Sequence, residues 1–221
     1  MFASSPYFSA SEVSTRRRDR TRQALLESAF AEIHSVGFQA ASLSGILAGA
    51  GVSKGALYHH FPNKLALGYA VVDEPLTDYI VENFILPFQE AEDPLQCIRE
   101  ISEREVERML EQGVTLGCPL VNLSQEMSPV DEGFRVRIDA MLTRWRNNLA
   151  DALREGQKKG YVRRDIDTTA EATLMTATRQ GAVALAKTAQ SLNLMENGMK
   201  AFSSYLDRLR PADWVEPKSC D

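Results

Sequence analysis

The chain is poor in the residues that build disulfide frameworks and metal sites. Its 221 residues hold three cysteines, Cys97, Cys118 and Cys220, an odd and widely spaced set. That argues against a disulfide scaffold and against a Cys-Cys zinc motif. The three histidines, His34, His59 and His60, all fall in the first third. The rest of the chain therefore has no histidine-based metal cluster. No apolar run approaches the ~18 residues of a membrane span. Residues 1–15 are Ser-rich and lack the apolar core of a signal peptide. These absences predict a cytoplasmic protein with no membrane partner. No Gly-rich phosphate loop follows a strand, and no histidine beyond His60 is there to partner Cys118. The sequence thus points away from an enzyme: no catalytic residue, metal or cofactor is assigned. Alternating strand patterns are missing as well, so the expected class is all-α.

Acidic charge is in excess overall, with a net of −5, which looks wrong for a nucleic-acid partner. The excess is not spread evenly. Residues 1–68 hold seven basic groups against four acids, a net of +3; residues 69–221 hold 18 against 26, a net of −8. The sign changes between the halves, so an anionic polymer would be drawn to one end only.

What is present is helical periodicity. A first helix is expected from about Asp19 to Ser35, with Leu25, Ala29, Ile33 and Val36 on one face and Gly37 as its C-cap. Ser42 caps a second helix that buries Leu43, Ile46 and Leu47. Gly51 makes a turn. Ser53 caps a third, and Phe61-Pro62 ends it. Asn63 caps a fourth from Lys64. Glu74-Pro75 and Leu86-Pro87 predict breaks or kinks. Further helices are expected over about 94–111, 118–127, 128–159, 168–191 and 194–209, with a break over 113–117. Ser128-Pro129 is read as the start of the longest.

The run Leu43 to Leu67 carries the chemistry. A short apolar-faced helix, a glycine turn and a second helix with a basic, aromatic and small outer face fit a helix-turn-helix. Lys54, Gly55 and Ala56 open the second of these helices. Lys54 can donate to guanine O6 and N7, and the Ala56 methyl can meet a thymine methyl. Gly55 permits close approach. Lys64 sits where its ammonium and exposed backbone N–H groups can share a phosphate. Each has a plainer reading, a solvated lysine or a packed side chain. Leu57, Phe61 and Val52 are read as core. Arg16, Arg17 and Arg18 form a basic arm that either enters the minor groove or adds non-specific attraction.

The residues Gly51-Val52-Ser53-Lys54-Gly55-Ala56-Leu57-Tyr58-His59-His60-Phe61, with Asn63-Lys64, Leu67 and Phe38 after Gly37, resemble the TetR family of bacterial transcriptional regulators. The match spans about residues 18–69. The segment Gly117 to Leu123, with Glu126 and Asp131 to Phe134, resembles a subgroup of it. A disordered, basic-ended arm is expected over 1–17; the resemblance implies a DNA-binding domain over 18–78, a larger helical ligand-binding and dimerisation domain over 79–210 and a tail over 211–221. It implies a homodimer that binds a palindromic operator on double-stranded DNA as a repressor and is released by a small-molecule inducer. Tyr58 and His59 match the family's phosphate-contacting pair, while His60 either joins them or packs between helices. The family usually carries Thr at the position of Ala41 and an acid near Gly45. Here Ser42 is left to contact phosphate, and Gly45 and Gly49 each weaken their helix by up to ~1 kcal/mol. Dimerisation would use the small residues of 170–189 and the last helix. Candidates for the pocket are Tyr79, Phe84, Met109, Cys118, Met127, Phe134, Trp145 and Met175, each also readable as ordinary core. Two other readings stay open. Cys118 or Cys97 could act as a thiol trigger, or the large domain could dock a protein and sense no metabolite.

Overall fold

Leu25, Leu26, Ala29 and Ile33 repeat at helical spacing and are all buried. They set the inner face of α1 (Ala10–Val36). The computed structural model describes residues 10–112 and 116–215, with side chains from Arg18 on, Gln112 excepted. Every regular element among them is helical. The chain folds as two compact units, Met1–Leu76 and Thr77–Asp221; the division falls two residues before the expected one.

In the first unit, α1 begins nine residues earlier than Asp19. The Arg16–Arg18 run therefore lies on a helix and not in a disordered arm; residues 1–9 of that expected arm lie outside the described residues. Val36, expected on the buried face, is exposed. The helix ends there because Gly37 takes the left-handed conformation, φ 86°, and Phe38 replaces Val36 in the core. The second helix, α2 (Leu43–Ala50), is closed by Gly51 at φ 64°. After it come α3 (Lys54–His60) and α4 (Lys64–Val71), the latter capped by Asn63. Pro75 does not break the chain's helical path. It sits in a π-helical turn, Val72–Leu76, whose wider ring accommodates a residue without an N–H.

Gly45 and Gly49 have a packing role the sequence reading missed. A Cβ on Gly49 would lie 2.4 Å from Ser28 Oγ, and one on Gly45 2.6 Å from Glu32 Oε1. Both glycines let α2 approach α1, where Ser28 Oγ donates to the Ile46 carbonyl at 2.8 Å. The helix-propensity cost is offset by that close contact.

The second unit holds α5 (Thr77–Phe84), α6 (Pro87–Glu90), α7 (Pro94–Gln112), α8 (Pro119–Met127), α9 (Glu132–Lys159), α10 (Thr168–Ala189) and α11 (Leu192–Asp207). The start of α9 corrects the expectation of Ser128-Pro129: Asp131 is the N-cap, accepting the Phe134 N–H at 2.9 Å. An aspartate cap outcompetes Pro129 because it satisfies an otherwise orphaned donor. The predicted break over 113–117 lies partly outside the described residues; Gly117 has φ 79°. Helix α10 packs against α9 and α11, and α7 covers α9 and α11. Arg210, beyond α11, pairs with Asp93 at 2.6 Å. Asp93 also accepts the Leu95 N–H at the start of α7.

Gly156 marks the tightest approach in this unit. A Cβ there would sit 2.6 Å from Pro94 Cγ and 2.8 Å from Val162 Cγ2. Pro94 is rigid, so the strain has no cheap outlet. Gly156→Ala is expected to destabilise the second unit by about 1–3 kcal/mol. A denaturant titration with an unchanged midpoint would show that the two chain segments can part without penalty.

Candidate DNA-binding face and a buried cavity

In the first unit, Leu57 and Phe61 pin α3 to the core, fully or almost fully buried. The opposite face is open. Ser53, Lys54, Gly55 and His59 are exposed, Tyr58 is 45% exposed, and Ala56 is half-buried. Lys54 Nζ lies 5.9 Å from the Tyr58 ring centroid, so the two side chains share one surface. Nothing but its neighbour Ser53 would meet a Cβ on Gly55. Ser53 Oγ accepts the Ala56 N–H at 3.3 Å, and Ser42 Oγ accepts the Gly45 N–H at 2.9 Å. Both serines are therefore caps first, although each hydroxyl hydrogen is still available.

Two features hold this face in place. Arg22 of α1 forms a paired hydrogen bond with Glu74 and lies over the Phe61 ring, 5.4 Å from its centroid. Lys64 Nζ donates to the Gln39 carbonyl at 3.1 Å and lies 4.8 Å from the Phe38 ring centroid. Lys64 thus bridges two segments, a role its place in the sequence did not reveal. His60 is half-buried against His59 and Phe61. Burial, then the charges of His59, Arg22 and Arg18, lowers its pKa, which suits it to packing.

The second unit contains a cavity of about 30 Å³ whose walls include Phe84, Trp145, Met175, Thr176 and Arg179. Phe84 and Trp145 stack at 4.7 Å between centroids, and Tyr79 meets Phe84 edge-on at 6.0 Å. The Arg179 guanidinium lies 4.3 Å from the Phe84 centroid and 5.6 Å from that of Trp145. Its counter-charge is Glu105 of α7, at 2.7 Å. Each side chain of this pair is only 8% exposed.

A family description, "Bacterial regulatory proteins, tetR family", matches residues 25–71, and "Tetracyclin repressor-like, C-terminal domain" matches residues 94–202. The transcriptional regulator AcuR of Cereibacter sphaeroides is 30% identical over 167 residues, covering 75% of each chain. This chain is a TetR-family transcriptional regulator. The HTH-type transcriptional repressor DhaR of a Mycobacterium species is 28% identical, over 75% of this regulator and 82% of its own length. Among solved structures, a regulatory protein TetR from Rhodobacter sphaeroides superposes with a TM-score of 0.76 at 26% identity, covering 84% of this chain and 98% of its own. Reduced NemR of Escherichia coli gives 0.72 at 25% identity, covering 88% and 100%. Members of this family are DNA-binding regulators and not enzymes.

Of the regulator's eight pocket candidates, Phe84, Trp145 and Met175 line the cavity. Tyr79 reaches it through Phe84. Met109, Met127 and Phe134 are buried but do not border it. Cys118 is buried too, and burial pushes its thiol up to about 11. Burial also raises Cys97 to about 11. At Cys118, ahead of α8, desolvation is the largest cause and outweighs the lowering by the backbone N–H groups of Val121 and Leu120. Glu105, Arg179 and Arg22 were not singled out from sequence. Cys220 lies outside the described residues, and no described helix is long and apolar enough to cross a membrane.

Proposed function

We propose that this regulator is a cytoplasmic repressor that binds a palindromic operator as a homodimer and is released by a small molecule. The single observation that carries the DNA reading is the open face of α3, where Lys54, Tyr58 and His59 project while Leu57 and Phe61 are buried. In this reading Lys54 reads a base, with Gly55 and Ala56 permitting the approach. Ser42, Ser53, Tyr58, His59 and Lys64 contact phosphates, and His60 supports them by packing.

Dimerisation is supported by an unpartnered face on α10 and α11. Leu174, Leu185 and Leu194 are exposed, and Ala177 and Gly181 share that side of α10. A second copy would bury this stripe, because small residues let helices approach closely. Two recognition helices would then meet major-groove faces about 34–36 Å apart. A ligand in the second unit would favour a dimer in which that spacing is lost. The coupling must be reciprocal, with operator weakening the ligand as the ligand weakens operator. DhaR carries "repressor" in its name, which supports the sign of the effect. Cys97 and Cys118 are both buried, which favours the ligand reading over a thiol trigger.

Genomic footprinting with and without small molecules tests the reading. Protected sites should be palindromic, and log affinity should fall linearly with log salt, with a slope of about −0.9 per phosphate neutralised. Salt-independent binding would overturn it.

A further inference from the structure

We infer that the groove between α7 and α11 is this regulator's ligand seat and takes an amphipathic ammonium, a cationic head on an alkyl body. This rests on the small-molecule reading above and names the ligand's place and class. The cavity beside Arg179, at about 30 Å³, has room for a water or two. The groove holds about 430 Å³, within the roughly 300–1,000 Å³ of small-molecule sites. It borders the cavity through Ser102 and Phe202, yet none of the eight pocket residues expected from sequence lines it.

The pairs Asp93–Arg210 and Arg99–Ser203 show that the two helices run antiparallel. Glu107 is therefore carried towards Glu196, at the end of the groove away from Arg99. Between those ends Val106, Met199, Phe202 and Leu206 form an apolar floor. From Arg99 to Glu107 α7 rises about 12 Å, long enough for an octyl chain to lie along that floor.

Charge selects the head group. Glu103, Glu107 and Glu196 all line the groove, and none has a hydrogen bond or ion pair among the described residues. Glu103 and Glu107 stand one turn apart on α7, where like charges weaken a helix. A cation held between α7 and α11 relieves that repulsion. Of the two lining cations, Arg99 is engaged by Ser203 and Asp207, which leaves Lys200 alone against three carboxylates. Arg104 and Arg108 do not line the groove, and Arg108 is held by Asn83. An ammonium complements this excess of negative charge, and an anion is repelled by it. Glu196, Lys200 and Ser203 stand about half a turn round α11 from Leu194. The face proposed for a second copy therefore leaves the groove open.

Calorimetric titration of the full chain with octylammonium, octan-1-ol, octanoate and methylammonium tests this. Octylammonium should bind at least tenfold more tightly than each of the others, and less tightly as salt rises. Glu107→Gln/Glu196→Gln should cost octylammonium at least tenfold and leave octan-1-ol unchanged. Lys200→Met, which removes the competing cation, should tighten octylammonium. Glu90→Gln/Glu155→Gln makes the same charge change at exposed positions outside the groove and should leave binding as it is. Equal losses in the two double variants overturn the proposal, because net charge alone would then attract the ligand. Octan-1-ol binding as tightly as octylammonium overturns the role of the glutamates, and methylammonium doing so overturns that of the floor. No binding of octylammonium to a folded wild-type protein overturns the site altogether. Binding is read without DNA, so the two readings fail separately. Glutamate-dependent binding that leaves operator affinity unchanged upholds the site and removes ligand release. Release by some other compound, with no octylammonium binding, does the reverse.

Discussion

Arg179→Met is expected to destabilise the second unit by about 3–5 kcal/mol, because it leaves Glu105 buried without a counter-charge. Both partners are 8% exposed, so water screens little of the loss. The volume change is small, and Met keeps contact with Phe84 and Trp145, so the effect isolates the charge. The double variant Arg179→Met/Glu105→Leu should recover most of the stability, since an apolar pair of similar volume replaces a buried ion pair at little cost. Urea titrations of wild type and both variants measure this. A single variant as stable as the double one would mean the pair is not needed to hold α7 on α10.

The contrast between the two units shows what sequence can reveal. In the first unit each signal was local. Ser42, Ser53 and Asn63 cap the helices they precede, Gly37 and Gly51 take positive φ, and Leu57 and Phe61 are buried. Local chemistry decides such features, so a short window is enough. Lys64 was half legible: its place in the first turn of α4 was readable, but its bridge to the Gln39 carbonyl depends on a fold-back of 25 residues. In the second unit the decisive contacts are non-local. Arg179 interrupts the buried stripe Ala172, Met175, Val183 and Ala186, which is a visible anomaly. Its meaning depends on Glu105, 74 residues away. Glu105 itself stands in a run of charged residues, and no spacing rule separates it from Glu103 or Glu107. The glycines of α2 were misread for the same reason. Propensity counts only the cost of glycine, and the benefit appears when Ser28 and Glu32 are seen across the helix contact.

Lys54→Ala is expected to weaken operator binding by about 1–3 kcal/mol, roughly 5- to 150-fold, and to relax sequence preference at the base it reads. Lys54 is exposed and makes no ion pair among the described residues, so its removal should leave the thermal transition in place. Tyr58→Phe removes a hydroxyl donor and no charge. It should weaken all sequences alike and leave the salt slope unchanged. Lys64→Ala should reduce the salt slope by about one, as loss of a cation at a phosphate does. Lys64 also holds the Gln39 carbonyl and covers the Phe38 ring, so this variant should lose some stability as well. Lys64→Met separates the two effects: it retains the apolar stem over Phe38 while losing the charge. Combined in Lys54→Ala/Tyr58→Phe, the losses should add within a factor of a few if the two side chains contact different groups on the DNA. A smaller combined loss would mean that Lys54 and Tyr58, 5.9 Å apart on one face, serve the same phosphate. In that case Lys54→Ala would weaken specific and non-specific DNA equally, and base reading would have to pass to Gly55, Ala56 and the shape of the groove.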